Sequence, residues 1–198
     1  MSTEKINIRN LSLEELKAQL VGFGQQAFRA KQVYEWLWNK NAHSFEEMSS
    51  LSKDLRAKLE EYFFIDGIAV ADQQISSDKT IKCAFEIEHG KVVEGVLIPT
   101  ASRMTACISS QVGCSLSCTF CATGRLKLLR NLTAGEIVDQ VVYLKNQAEE
   151  RYNIQLSNIV YMGMGEPLLN YKNMLRSTEI ITSKEGLGMS PRRITVST

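Results

Sequence analysis

Gly113-Cys114-Ser115-Leu116-Ser117-Cys118-Thr119-Phe120-Cys121-Ala122-Thr123-Gly124 decides how this chain is read. Three of the five cysteines stand here, in the order Cys-x-x-x-Cys-x-x-Cys. Thiolates this close on a glycine-flanked loop can converge on one metal centre. The number three selects the kind of centre. A closed structural zinc site wants four Cys or His ligands, and an ordinary four-iron cluster takes four cysteines. No fourth Cys or His follows in this stretch. Cys114, Cys118 and Cys121 would hold three irons of a [4Fe-4S] cluster and leave the fourth iron open. An amino acid with adjacent amino and carboxylate groups can chelate that iron. S-adenosylmethionine (SAM) has those groups, and a cluster placed so can reduce its sulfonium and release a carbon radical. Three competing readings stay open: unconnected structural thiols, a zinc site that borrows Cys107, and a ferredoxin-like electron carrier.

Outward from the loop, Thr105 to Ser110 reads as a strand that delivers the chain into it. After Arg130, Thr133-Ala134-Gly135-Glu136 is a capping-box pattern. The helix it opens runs to about Glu149, with Ile137, Val141 and Leu144 on one face. Ser157 to Met162 reads as a buried strand, Asn170 to about Thr182 as a helix, and Arg193 to Thr198 as a third strand. This alternation implies parallel pairing with right-handed crossovers. In such folds functional loops gather at the C-terminal ends of the strands. The cysteine loop, the turn Gly163-Met164-Gly165-Glu166-Pro167 and Ser197 all fall at that edge. The turn carries two glycines that let backbone approach a ligand, a carboxylate able to pair with an amine, and a stiffening proline.

Upstream, residues 65–100 are strand-like. Ile68 to Ala71, Thr80 to Ile87 and Val92 to Ile98 form three runs, with His89-Gly90 as a hairpin turn. Cys83 sits in an alternating run and reads as a small core residue. Glu94 interrupts an apolar run. It is either a solvent-side residue or a carboxylate aimed into a site, where it could take a proton. Residues 1–64 read as helical. Ser12-Leu13-Glu14-Glu15 is another capping box, opening a helix to about Leu20. A second helix, from Gln25 to about Asn39, carries Phe28, Val33, Trp36 and Leu37. A third starts near Ser52 and carries Leu55, Leu59 and Phe63. Arg29, Lys31, Lys40, Lys53, Arg56 and Lys58 give this part either a solvated face or a grip on phosphates.

Composition bounds the remaining choices. The 198 residues are 44% hydrophobic with a formal net charge of +1, so no global field announces a nucleic-acid partner. The odd cysteine count and the polar N-terminus argue for a reducing compartment and against a disulfide scaffold. No apolar run approaches the ~18 residues of a membrane span. A cytoplasmic location and no membrane partner are expected.

These residues resemble a known family. Cys107-Ile108-Ser109-Ser110-Gln111-Val112-Gly113-Cys114, the loop with Ala122-Thr123-Gly124, Asn131-Leu132-Thr133, and Met162-Gly163-Met164-Gly165-Glu166-Pro167-Leu168-Leu169-Asn170 look like the radical-SAM dual-specificity RNA (adenine-C2)-methyltransferases, the RlmN family. Phe45-Glu46-Glu47-Met48 and Leu51-Ser52-Lys53-Asp54-Leu55-Arg56 fit that family's N-terminal RNA-associated domain. The resemblance implies an α/β fold. Residues 1–64 would form a small helical domain, 65–100 a β connector, and 101–198 the N-terminal part of a (β/α) radical-SAM barrel.

The resemblance implies roles residue by residue. Cys114, Cys118 and Cys121 would ligate the cluster. Gly165, Glu166 and Ser197 would contact SAM. Glu94 would be the general base that takes the proton from the substrate carbon. Cys107 would form a transient disulfide with a methyl-carrying cysteine to release product. Family members methylate carbon-2 of an adenine in 23S ribosomal RNA and of the anticodon-adjacent adenine in some transfer RNAs. Carbon-2 is not nucleophilic, so one SAM methylates a protein cysteine and a second supplies the radical that activates that methyl. A flavodoxin-like external electron donor and a monomeric state are expected. The methyl-carrying cysteine lies far downstream in the family, and this chain ends at Thr198, so a C-terminally truncated chain is expected too. The alternatives are the related carbon-8 adenine methyltransferase and an inactive RNA-binding or iron–sulfur fragment.

Overall fold

The computed structural model describes residues 5–198. The chain divides into two compact units: residues 1–67 with 180–188, and residues 68–179 with 189–198.

In the first unit, strand β1 (Ile6–Asn7) precedes helices α1 (Leu13–Gly22), α2 (Phe28–Trp38) and α3 (Lys53–Tyr62), and β2 (Phe63–Phe64) pairs in parallel with β1. The expected caps form. Ser12 Oγ accepts the Glu15 N–H at 3.2 Å, and Glu15 Oε2 accepts the Ser12 N–H at 2.7 Å. Ser52 Oγ caps α3 by accepting the Leu55 N–H at 3.3 Å. Leu16, Leu20, Val33, Leu37, Leu55 and Leu59 are buried at helical spacing. Each such side chain contributes roughly 1.5–3 kcal/mol on burial. Of the apolar positions expected on α2, Val33 and Leu37 are buried, but Trp36 is half-buried and Phe28 is not buried. Phe28 is 49% exposed, whereas Trp38 is buried with the Arg9 guanidinium 5.4 Å from its ring centroid. Period counting does not separate Phe28 from Trp38, because both lie on wide apolar stripes of one amphipathic helix.

The second unit is one six-stranded sheet with helices. Its strands are β3 (Ala69–Ile75), β4 (Ile81–Ile87), β5 (Lys91–Pro99), β6 (Met104–Cys107), β9 (Asn158–Tyr161) and β10 (Ile194–Val196). The order is β10-β9-β6-β5-β4-β3. From β3 to β6 the pairing is antiparallel, and β6, β9 and β10 are parallel. The hairpin expected as a connector is therefore hydrogen-bonded into the same sheet as the barrel-type strands. Helices α4 (Ala134–Tyr152) and α5 (Tyr171–Thr182) follow β6 and β9. Thr133 caps α4 by the expected box, with Glu136 Oε2 accepting the Thr133 N–H at 2.8 Å.

Alternation decides the two sheet faces. Ile81, Cys83, Phe85, Ile87, Val93, Leu97, Met104, Ala106, Ile159 and Tyr161 are buried on one. The α4 side chains cover it, with the Tyr143 ring edge-on to Phe85 at 5.4 Å. The opposite face carries Lys82, Ala84, Glu94, Val96, Thr105, Cys107 and Val160, all exposed or half-buried.

The strand expected from Thr105 to Ser110 stops at Cys107. Beyond it the backbone groups find other partners. Ser109 N–H donates to Gln140 Oε1 at 2.9 Å, and the N–H groups of Ser110 and Gln111 both donate to the Met164 carbonyl. The chain re-forms a short ladder, β7 (Gln111–Val112) with β8 (Arg130–Asn131), which closes the base of the cysteine loop. Among the described residues no helix is long and apolar enough to cross a membrane.

Candidate functional site

The cysteine loop folds back on itself between β7 and β8. Gly113 permits the turn: its φ is +76°, and a Cβ there would collide with the Lys127 carbonyl. Cys121 N–H donates to the Cys118 carbonyl at 3.1 Å, and Gly124 N–H donates to the Cys121 carbonyl at 3.2 Å. A short 3-10 turn, Thr123–Arg125, ends the motif. Cys114 and Cys121 are half-buried and Cys118 is exposed; all five cysteines of the chain are free, and none is in a disulfide. A backbone hydrogen bond with Gly124 holds the Cys121 thiol below its ordinary value, against a smaller opposing effect of burial. That favours the thiolate, the form that binds metal.

Among the described residues no three Cys, His, Asp or Glu side chains are gathered tightly enough to hold a metal ion. The donor chemistry nevertheless fits an iron–sulfur cluster. Three thiols outside any disulfide share one short loop, one is biased toward the thiolate, and the loop carries no competing carboxylate between Gly113 and Gly124. Phe120, between the second and third thiols, is 92% exposed.

The Gly163-to-Pro167 turn follows β9 directly. Gly165 has φ +94°, and a Cβ there would run into the Gln111 side chain. Glu166 N–H donates to Gln111 Oε1 at 2.8 Å. Glu166 Oε1 in turn accepts the Leu168 N–H at 2.9 Å, capping the 3-10 turn Pro167–Asn170. Met164 N–H donates to Ser109 Oγ at 2.7 Å. Ser197 is exposed, one residue past β10. The loop, the turn and Ser197 thus follow the C-terminal ends of the three parallel strands β6, β9 and β10.

Glu94 lies on β5 with Lys82 Nζ 2.6 Å from its Oε1; both side chains are about half exposed, at 47% and 48%. Cys107 ends β6 on the same sheet face and is half-buried. Burial pushes its thiol up, and a backbone hydrogen bond with Met162 only partly offsets this. Cys83 is fully buried on the α4-covered face, where burial also raises its thiol. The basic residues of the helical unit have local partners. Arg56 donates to the Glu46 carbonyl at 2.8 Å, Lys58 to the Phe23 carbonyl at 3.3 Å, and Lys40 Nζ lies 4.0 Å from the Trp36 ring centroid.

Sequence reading missed Lys82 and the buried polar residues Ser109, Gln111, Gln140 and Asn170. Asn170 Nδ2 donates to the carbonyls of Ser110 and Leu132, both at 2.8 Å. The available signal was Ser109-Ser110-Gln111, a polar run between two apolar stretches just before Gly113. A strand interior does not tolerate such a run without dedicated partners.

Comparison with known proteins gives two family matches. Residues 6–65 match the family described as the ribosomal RNA large subunit methyltransferase N-terminal domain. Residues 108–198 match the radical SAM superfamily. A protein of Flavobacterium johnsoniae named probable dual-specificity RNA methyltransferase RlmN is 54% identical over 198 residues, covering 100% of this chain and 57% of that protein. A dual-specificity RNA methyltransferase RlmN of Geotalea uraniireducens is 47% identical over 195 residues, covering 98% of this chain and 55% of its own length. The crystal structure of a radical SAM methyltransferase from Sphaerobacter thermophilus superposes with a TM-score of 0.87 at 40% identity, covering 98% of this chain and 57% of that one. The chain spans little more than half the length of the relatives it matches. Over that shared length the chain carries a match to the RlmN N-terminal domain followed by a match to the radical SAM superfamily, and it is similar throughout to proteins named RlmN.

Proposed function

We propose that this chain forms the cluster-binding and SAM-binding part of an enzyme that methylates carbon-2 of adenine in 23S ribosomal RNA and in transfer RNA. One observation carries the reading. The cysteine loop and the glycine-rich turn leave adjacent parallel strands at the same edge, and Glu94 and Cys107 share the sheet face between them. Cys114, Cys118 and Cys121 would hold the [4Fe-4S] cluster. Glu166, with Gly165 giving close backbone approach, would receive the methionine amine of SAM, and Ser197 would contact it from the next strand. When bound, cluster and SAM supply one-electron cleavage of a sulfonium carbon–sulfur bond.

The chain's own side chains do the remaining work. Glu94, paired with Lys82 at 2.6 Å, would take the proton from the substrate carbon. Cys107, whose thiol burial pushes up, would take part in the thiol exchange that releases product. Cys83 cannot carry the methyl group, because it is buried on the opposite, helix-covered face. The helical unit, residues 1–64, is proposed to contact RNA, and residues 65–100 to tie the sheet together. A cytoplasmic monomer served by a flavodoxin-like donor completes the reading.

The test is anaerobic reconstitution of this chain, then EPR of the reduced form with and without SAM. A four-iron signal that shifts with SAM supports the reading. A cluster indifferent to SAM overturns it in favour of an electron carrier. Product analysis of methylated RNA distinguishes carbon-2 from carbon-8.

A further inference from the structure

Two buried polar side chains join the start of the cysteine loop to the glycine-rich turn. Ser109 and Gln111 are both 0% exposed. Ser109 Oγ donates to the Glu94 carbonyl at 2.6 Å and accepts the Met164 N–H at 2.7 Å. Gln111 Oε1 accepts the Glu166 N–H at 2.8 Å, while its Nε2 donates to Asn131 Oδ1 at 2.7 Å. Gln140 pins the Ser109 backbone on both sides, accepting its N–H at 2.9 Å and donating to its carbonyl at 3.1 Å.

The bonded amides flank Gly165, whose φ of +94° takes the turn out of any strand or helix pattern. They are satisfied by side chains from one short segment. Gln111 lies three residues before Cys114. The same segment therefore carries the first thiol, grips the peptide of Glu166, and holds the β5 backbone at Glu94. Glu166 Oε1 is committed to the Leu168 N–H, and its second oxygen has no hydrogen-bond partner among the described residues. The carboxylate is thereby presented in one orientation.

We propose that Ser109 and Gln111 are positioning residues that set the Glu166 carboxylate relative to the cysteine loop, so that the amine site for SAM and the thiolates are built as one unit. This rests on the reading of the turn as the SAM site. Loss of either side chain would leave a partly buried N–H without its partner and free the turn to rotate. It would weaken SAM binding without removing the thiols.

The experiment compares wild type, Gln111→Ala, Ser109→Ala and Leu144→Ala, the last a core truncation in α4 away from the turn. Three quantities are read: melting temperature, amide hydrogen exchange of Met164 and Glu166 in the metal-free chain, and SAM affinity of the iron-loaded chain by equilibrium dialysis. Gln111→Ala is expected to speed exchange at Glu166, and Ser109→Ala at Met164, each by about tenfold more than Leu144→Ala does. Both are expected to keep wild-type iron content and to bind SAM about tenfold more weakly. Affinity loss no greater than that of Leu144→Ala at equal loss of melting temperature would overturn the inference and leave the SAM turn standing. Failure of the loaded wild type to bind SAM would overturn the turn reading and the inference with it. If one variant does not fold, the other carries the same test.

Discussion

Glu94 and Cys107 project from one face of the central sheet. Val96 of β5 pairs with Cys107 of β6, and Glu94 stands two residues before Val96. With a side-chain period of two, both fall on the face that α4 does not cover. A carboxylate and a thiol proposed for successive steps of one reaction are thus diagonal neighbours across a single strand pair.

Glu94→Gln tests whether that carboxylate is spare. Its ion pair with Lys82 is half exposed, so solvent screening leaves it worth under ~1 kcal/mol. The urea midpoint should hardly move. A loss above ~2 kcal/mol would make Glu94 a structural brace and would count against its role as a base.

Cys114→Ser, Cys118→Ser and Cys121→Ser should each abolish iron incorporation and the visible absorbance of the reconstituted protein. Melting of the metal-free chain should shift by less than ~0.5 kcal/mol for Cys118→Ser, because that side chain is exposed. Cys83→Ala should do the reverse: full iron content, with about 1 kcal/mol lost from the core. Iron retained in a loop variant would show that another ligand set is used.

Gly165→Ala should cost about 2–4 kcal/mol. A φ of +94° disfavours any Cβ, and this one meets the Gln111 side chain. The SAM-dependent change in the EPR spectrum should vanish. A variant as stable as wild type, still responsive to SAM, would mean that the turn is plastic and that its geometry does not matter.

Alkaline pH should destabilise the fold. Burial raises Cys83 and Cys107 above an ordinary thiol value of 9.0, and Tyr161 above an ordinary phenol value of 10.0. Each is an acid whose folded pKa exceeds its unfolded one. The stability it contributes is full below the unfolded value and is lost as pH rises toward the folded value. The melting temperature should fall from about pH 9 upward, and Tyr161→Phe should shallow that fall. The same shifts order alkylation of the metal-free chain near neutral pH: Cys121 before Cys107, and Cys83 last. Mass spectrometry of partly alkylated protein reads the order directly, and early labelling of Cys107 would contradict it.

Glu136→Ala removes two interactions at the start of α4. Glu136 accepts the Thr133 N–H at 2.8 Å and pairs with Arg130 at 2.5 Å, largely out of solvent. A loss of about 1–3 kcal/mol is expected in chemical denaturation. Because Arg130 also sits on β8, iron loading should become less complete. Unchanged iron content would separate the helix cap from the loop.

Much of this molecule was legible in its residues. Both capping boxes formed where Ser12 and Thr133 announced them, because a cap is a contact between residues three apart. The strands around Glu94 and Ile159 showed as β-rich runs, and the helix–strand alternation implied the parallel order of β6, β9 and β10. The spacing of Cys114, Cys118 and Cys121 points to the cluster chemistry proposed above, since ligand number and loop length are local properties.

Tertiary structure decided what local pattern cannot carry. The interruption after Cys107 depends on partners 31 and 55 residues away, Gln140 for Ser109 and Glu166 for Gln111. The ion pair of Glu94 depends on strand register with β4, and a slip by one residue would send it to the other face. The split between Phe28 exposed and Trp38 buried depends on which side of α2 has a neighbour. Sequence determined which groups are present and how the chain bends locally. Only the fold decided which groups meet, because hydrogen bonds and burial between distant residues exist only once the sheet has brought them together.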